Sequence, residues 1–278
     1  VEEKEYITDA FSREAVSFIE RNREHPFFLY LAYNAPHTPL EATEKYLNRF
    51  SQIKDKKRRT YAAMVSAMDD GIGRVLDKLR ELNLEKNTIV FFLSDNGGPV
   101  HANASSNAPL RGEKSDFFEG GIRVPFAVQW TGVIPAGATY NRPVISLDIF
   151  ASMAAMLPVK PKNKLDGVNI LPYLAGQKKG DPHSYLFWRN YDRQRYAVVG
   201  PAFKRIDEKG KPSMLFTLQE DISEKNDLSQ QDRAQMKRLE TKIRQWNKIL
   251  INPVFLGLLE DEQYSKAHPE RWMVTDNK

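Results

Sequence analysis

The chain has 278 residues, 41% apolar and 28% charged, with 41 Lys plus Arg against 36 Asp plus Glu for a formal net charge of +5. That length holds one large domain, or one domain with a smaller companion. The lack of cysteine excludes disulfides and thiolate metal sites, and no run approaches the roughly 20 apolar residues of a membrane span. The basic excess is scattered, except in Lys54-Asp55-Lys56-Lys57-Arg58-Arg59. That run reads as a solvated helix face, with no footprint for nucleic acid and at most a weak pull on anionic substrates.

In chain order, Thr8 is placed to cap a helix over about 8–22, with Phe11, Ala15, Phe18 and Ile19 on one face. Pro26 opens PFFLYLAYN, and the apolar run 27–33 predicts a strand buried on both faces, as in a parallel sheet. Residues 57–82 carry Ala63, Met64, Ala67, Met68, Ile72, Val75, Leu76 and Leu79 at helical spacing. NTIVFFLSD is a second buried strand and RVPFAVQW (123–130) a third. SLDIFASMAAML (146–157) is a helix with Ser146 or Asp148 near its cap. Buried strands alternating with helices predict an α/β domain over 1–174, a mostly parallel sheet flanked by helices. After about Leu174 the pattern changes to short aromatic and β-branched runs (SYLFWRN, RYAVVG, AFKRI, MLFTLQE) split by turns such as EKGKPS. Residues 175–278 therefore predict a smaller antiparallel sheet, a helix over about 231–250 and a tail containing Trp and Pro.

In open α/β sheets, ligands bind beyond the carboxyl ends of the strands. The first predicted strand runs into Asn34-Ala35-Pro36-His37, and the second into Asp95 and Asn96. The stretch between the second and third strands carries Arg111 and Lys114. Asp95 and Asn96 offer a carboxylate and an amide oxygen, hard donors suited to Ca²⁺ or, second, Mg²⁺ and not to zinc. Gly97 and Gly98 let the chain turn and bring backbone close to a ligand. Each feature has a bland reading: an Asn-Gly turn, a loop histidine, a surface lysine. Their joint placement at strand ends, where function concentrates, favours a site.

Four ordered phrases carry a resemblance. They are Ala35-Pro36-His37-Thr38-Pro39, then Ser94-Asp95-Asn96-Gly97-Gly98, then Pro109-Leu110-Arg111-Gly112-Glu113-Lys114 leading to Phe118-Glu119-Gly120-Gly121-Ile122-Arg123-Val124-Pro125, and late LFTLQEDISEKNDLS. Together they resemble the sulfatase family, of alkaline-phosphatase-like fold. The resemblance implies a sulfuric ester hydrolase of the arylsulfatase type, acting on a sulfated sugar or aryl sulfate. It implies Ca²⁺ (Mg²⁺ less so) held in part by Asp95 and Asn96, Lys114 as a cation on the sulfate, and His37 as proton donor to the leaving alcohol. Arg111, His101, Asn103 and Asn107 become candidate substrate contacts. Asn103-Ala104-Ser105 also spells a glycosylation sequon. A periplasmic, secreted or lysosomal compartment follows from family habit.

The departures fall on one side. The family's formylglycine nucleophile, matured from Cys or Ser in a Cys/Ser-x-Pro-x-Arg motif, has no counterpart in the chain. Neither do the family's first pair of metal-binding aspartates or its early lysine and histidine. All belong to the family's N-terminal portion, so the expectation is a C-terminal part, inactive alone, whose partner is that N-terminal portion. The rival readings are a phosphodiesterase or phosphonate hydrolase of the same superfamily, and a noncatalytic module binding sulfated glycans.

Overall fold

The computed structural model describes residues 3–158 and 160–253. They divide into two compact units. The first takes the chain up to Ala108, then Glu113–Asp116 and Gly120–Pro182; the second takes Pro109–Gly112, Phe117–Glu119 and the chain from His183 on. The expected boundary at 174/175 lies inside the first unit. Two short excursions, which no compositional change signals, assign residues near 110 and 118 to the second.

In the first unit, α1 (Ile7–Arg21) is followed by the one-turn α2 (Glu44–Leu47), a 3-10 turn and the long α3 (Lys56–Glu81). Tyr6, not Thr8, occupies the N-cap position of α1, without a side-chain hydrogen bond. Thr8 is fully buried inside the helix, because the face it shares with Ser12, Ala15 and Ile19 packs inward. α3 begins where expected, and Asp55 caps it by accepting from Arg58 N at 2.7 Å. α1 and α3 approach closely at Gly71, where a Cβ would stand 2.1 Å from Ser12 Oγ. Around them, Tyr46, Ala63 and Ala67 form a core, and the Tyr46 hydroxyl donates to Asp9 at 2.7 Å.

The predicted strand 27–33 is not one. It pairs with no neighbour among the described residues, and its side chains alternate half-buried and exposed, with Phe28 81% and Tyr30 80% accessible. A period of two is strand-like; what is missing is a sheet to cover the outer row. The other two predicted strands form, as β1 (Val90–Leu93) and β2 (Phe126–Gln129), but they pair antiparallel, Val90 opposite Gln129 and Leu93 opposite Phe126. A parallel pair needs a substantial crossover. The connection between β1 and β2 holds only the one-turn helices α4 (Val100–Asn103) and α5 (Glu119–Ile122), so the chain returns alongside itself. The mostly parallel sheet is therefore absent from the ladders of the described residues. α6 (Leu147–Met156) and one-turn α7 (Leu171–Leu174) complete the unit. Asp148, wholly buried, accepts from Ile145 N at 2.9 Å and Val168 N at 2.8 Å. It thus serves as the start signal of α6, while Ser146 makes no capping bond.

The second unit is the expected small antiparallel sheet. β3 (Leu186–Asn190), β4 (Arg195–Val199), β5 (Phe203–Glu208) and β6 (Met214–Thr217) form a meander in chain order. Helix α8 (Arg233–Asn247), capped by Asp232 on Gln235 N, covers one face. There Leu239 and Ile243 pack on Val198 and Leu215. The other face buries Ala197, Ile206 and Phe216, and Phe117 and Phe118 pack against it. The alternation along β5 follows from the pleat: Phe203 faces α8, while Ile206 faces Phe117 and Phe118. Most of the predicted Trp- and Pro-containing tail lies outside the described residues.

Candidate active site

β1 ends at Leu93, and the residues from Ser94 on run against the segment that leads into β2. Ser94 N donates to Pro125 O at 3.2 Å, and Gly97 N to Gly121 O at 3.0 Å. Two of the motif phrases are thus laid backbone to backbone. A Cβ on Gly97 would stand 1.7 Å from Gly120 O, and one on Gly121 would stand 2.3 Å from Asp116 O and 2.6 Å from Glu113 O. Neither glycine has positive φ. The expectation that Gly97 frees a sharp turn is corrected: it is required for contact distance, not for a left-handed backbone.

The same packing sets Lys114. Its turn is closed by Asp116 N on Glu113 O at 2.9 Å and Glu113 N on Asp116 Oδ2 at 3.0 Å, with Gly112 (φ 85°) and Ser115 (φ 76°) left-handed. Lys114 Nζ stands 3.2 Å from His37 Nε2. His37 Nδ1 lies 2.6 Å from its neighbour's carbonyl, Thr38 O. A carbonyl only accepts, so the ring proton belongs on Nδ1, and Nε2 turns its lone pair to the ammonium. The structure therefore brings together two residues 77 positions apart, each at the centre of its motif. A fixed cation beside an imidazole nitrogen can hold an oxyanion and exchange a proton with an atom bonded to it.

Asp95 is exposed, and its carboxylate takes no hydrogen bond or ion pair from any described residue. The half-buried Asn96 donates its amide N–H to Gly97 O at 3.1 Å, which leaves Oδ1 as its outward atom. Two hard oxygens, one anionic and uncommitted, suit Ca²⁺ in kind. They fall short in number of the about six to eight that calcium takes, and no cluster of three or more His, Cys, Asp or Glu suited to a metal exists among the described residues. The donors fit part of a calcium site.

The loop 98–107 is built tightly. Gly98 N donates to Asn107 Oδ1 at 3.0 Å, and Asn107 Nδ2 donates back to Gly98 O at 2.8 Å. Asn103 is buried (3% accessible), and its Oδ1 accepts from Ser105 N at 3.0 Å, which takes the sequon asparagine out of reach in the folded chain. Both amides shape the loop; His101 is the exposed candidate of the three. The loop is fastened to α3 by the basic run: Lys57 Nζ donates to His101 O at 2.7 Å and Arg58 to Ala104 O at 2.8 Å. Lys54 to Arg58 are exposed, as a solvated face requires, and two of the run's cations also satisfy loop carbonyls.

Arg111 lies in the second unit. Its guanidinium stacks 4.0 Å from the Phe118 ring centre and donates to Glu224 O at 2.9 Å. Beside it is a group the sequence reading missed. Lys204, wholly buried on β5, puts Nζ 2.8 Å from Glu119 Oε1 and 2.9 Å from Glu224 Oε1. The second contact is an ion pair without hydrogen-bond alignment, since Glu224 Oε1 has no hydrogen-bond partner. Glu224 Oε2 accepts from Glu119 N at 2.6 Å. Burial pushes the Glu224 carboxyl above its ordinary range, against the pull of Lys204. Glu119 and Glu224 both stand inside quoted motifs, which was the available signal; a lone Lys in a strand gave none.

A family model for sulfatases matches residues 1–159. The chain belongs to the sulfatase family. It is 36% identical over 194 residues to the uncharacterized sulfatase YdeN of Escherichia coli K12, covering 66% of this chain and 34% of that protein. It is 36% identical over 201 residues to human N-acetylgalactosamine-6-sulfatase, covering 70% and 37%. Among solved structures, Ps i-CgsB in complex with k-i-k-neocarrahexaose superposes with a TM-score of 0.87 at 36% identity, over 98% of this chain and 62% of that one. The fold is the α/β, alkaline-phosphatase-like fold of that family, with its C-terminal four-stranded antiparallel sheet. The chain spans about a third of the length of the curated relatives it matches.

Proposed function

We propose that this chain forms the C-terminal part of a sulfuric ester hydrolase acting on a sulfated glycan. The 3.2 Å approach of Lys114 Nζ to His37 Nε2 carries the reading. Lys114 binds a sulfate oxygen and the charge that gathers on it as the S–O bond breaks. His37, its ring oriented by Thr38 O, takes up a proton on the Nε2 lone pair and passes it to the departing alcohol, the Nδ1 proton staying on Thr38 O. Asp95 and Asn96 Oδ1 would hold part of a calcium ion, which when bound supplies further positive charge at the sulfate. His101, on its braced loop, contacts the sugar. A glycan substrate agrees with the neocarrahexaose bound by Ps i-CgsB, and a periplasmic, secreted or lysosomal setting would suit such a substrate. Among the described residues no helix is long and apolar enough to cross a membrane.

The activity requires a further portion of the enzyme, carrying the formylglycine nucleophile and the remaining calcium ligands. Supporting this are the fraction of each relative that the chain spans, and two uncovered apolar rows: Phe28 and Tyr30 on the unpaired segment, and Leu147, Phe150 and Leu157 (52%, 64% and 60% accessible) at helical spacing along and just past α6. The test assembles the chain with the N-terminal portion and offers an aryl sulfate, a sulfated galactan oligosaccharide and matched phosphonate and phosphate esters. Sulfate hydrolysis is expected. Lys114→Ala should cost about 10²-fold or more in kcat/KM, and Asp95→Ala should lower bound calcium and activity together. Phosphonate or phosphate turnover in preference to sulfate, or glycan binding that survives chelation without turnover, would overturn the reading.

A further inference from the structure

Lys114 lies on a four-residue turn, Glu113–Asp116, whose flanking segments on both sides, Pro109–Gly112 and Phe117–Glu119, belong to the second unit. Each flank is anchored there in a different way. Upstream, Arg111 is stacked on Phe118 and hydrogen-bonded to the Glu224 carbonyl. Downstream, Phe117 and Phe118 cover one face of the small sheet, and Glu119 is buried at 5% accessibility against Lys204. Both anchors converge on Glu224. That residue is itself fixed in left-handed backbone (φ 52°), within a turn in which Glu224 N donates to Asp221 O and Asn226 N to Asp221 Oδ2.

Burying one ammonium against two carboxylates is unusual for a stabilising device, because desolvation of the three ions consumes most of what their attraction returns. Such a group does supply directionality: an isolated ion at zero accessibility is so unfavourable that the three side chains tolerate no other arrangement. We propose that the Glu119–Lys204–Glu224 triad, with Arg111, is a clip that fixes both flanks of the Lys114 turn, and that these are positioning residues for Lys114. The assignment rests on the sulfatase reading only for its catalytic consequence; the mechanical part stands without it.

Glu119→Gln keeps the shape and leaves Lys204 paired with Glu224. Arg111→Met keeps the stem on Phe118 and removes the donor to Glu224 O; as an exposed residue it serves should the first variant fold poorly. Hydrogen exchange by mass spectrometry is expected to show about tenfold faster exchange over 109–122, with β3–β6 unchanged. In the assembled enzyme, either variant should lower kcat/KM about 10- to 10²-fold, the scale of misplacing a catalytic group by a fraction of an ångström to one ångström. On a Lys114→Ala background the same variant should cost nothing more, because the residue it positions is gone. Unchanged exchange over 109–122 would overturn the clip, and so would loosening spread equally over the sheet. A penalty that persists in full on the Lys114→Ala background would overturn the positioning role. If the assembled wild type hydrolyses no sulfate ester, the sulfatase reading fails separately, and the exchange measurement alone decides the clip.

Discussion

Replacing Gly97 by alanine tests the backbone crossing on which the site is built. The new Cβ would stand 1.7 Å from Gly120 O, 2.7 Å from Gly120 C and 3.0 Å from Gly121 Cα. None of those atoms is the free end of a flexible side chain, so the two strands of backbone must separate by more than an ångström. That separation breaks the Gly97 N to Gly121 O hydrogen bond, now 3.0 Å, a loss of about 1 kcal/mol. Forcing a methyl group into a closed contact adds about 1–3 kcal/mol, giving a destabilisation of about 2–4 kcal/mol in all. Gly73, in the middle of α3, has nothing within 4 Å of its would-be Cβ. Gly73→Ala should therefore be neutral or stabilise by up to about 1 kcal/mol, the helix-propensity difference. Urea unfolding of both variants beside the wild type, with hydrogen exchange over 94–98 and 119–123, measures the contrast. A Gly97→Ala chain with a wild-type midpoint and wild-type exchange would refute the close crossing.

Two further outcomes follow from other contacts. Arg49 holds Asp70 through paired hydrogen bonds of 2.8 and 2.7 Å, and this pulls the Asp70 carboxyl below its ordinary value. The stabilisation is present above that value and fades as pH falls through the lower folded-state value. Asp70→Asn should thus cost about 0.5 kcal/mol near neutrality, the pair being partly exposed, and the gap to wild type should close as urea midpoints are taken from pH 5 towards pH 2; a gap constant with pH counts against the ion pair. Lys57→Met with Arg58→Met should raise hydrogen exchange in 98–107 and, on the proposal that His101 contacts the sugar, raise KM for an oligosaccharide more than for a small aryl sulfate; equal effects on both would remove the loop from substrate binding.

Much of the candidate site was legible because its chemistry is concentrated in short phrases. His37, Asp95, Asn96 and Lys114 could each be named from a motif, and the helix α3 from its apolar spacing. The failures share a physical cause: the sequence shows what a residue is, not what is laid against it. Residues 27–33 read as a doubly buried strand, yet half of that row faces open space, because burial on two faces needs neighbours that composition cannot supply. Gly97 reads as a flexible joint; its role depends on Gly120, which reaches it only once β2 returns antiparallel beside β1. Lys57 and Arg58 are exposed as read, but a charge run carries no mark of the loop carbonyls that they also bind. Lys204 is the extreme case. A lysine between Phe203 and Arg205 looks like an exposed edge residue, and its place at zero accessibility is intelligible only from two glutamates 85 positions before it and 20 after it. Motifs thus mark the groups proposed to touch substrate, whose chemistry a reaction would fix. The groups proposed to hold them in place are set by pairwise geometry, and in this chain they are the buried ions and close glycine contacts that flank Lys114.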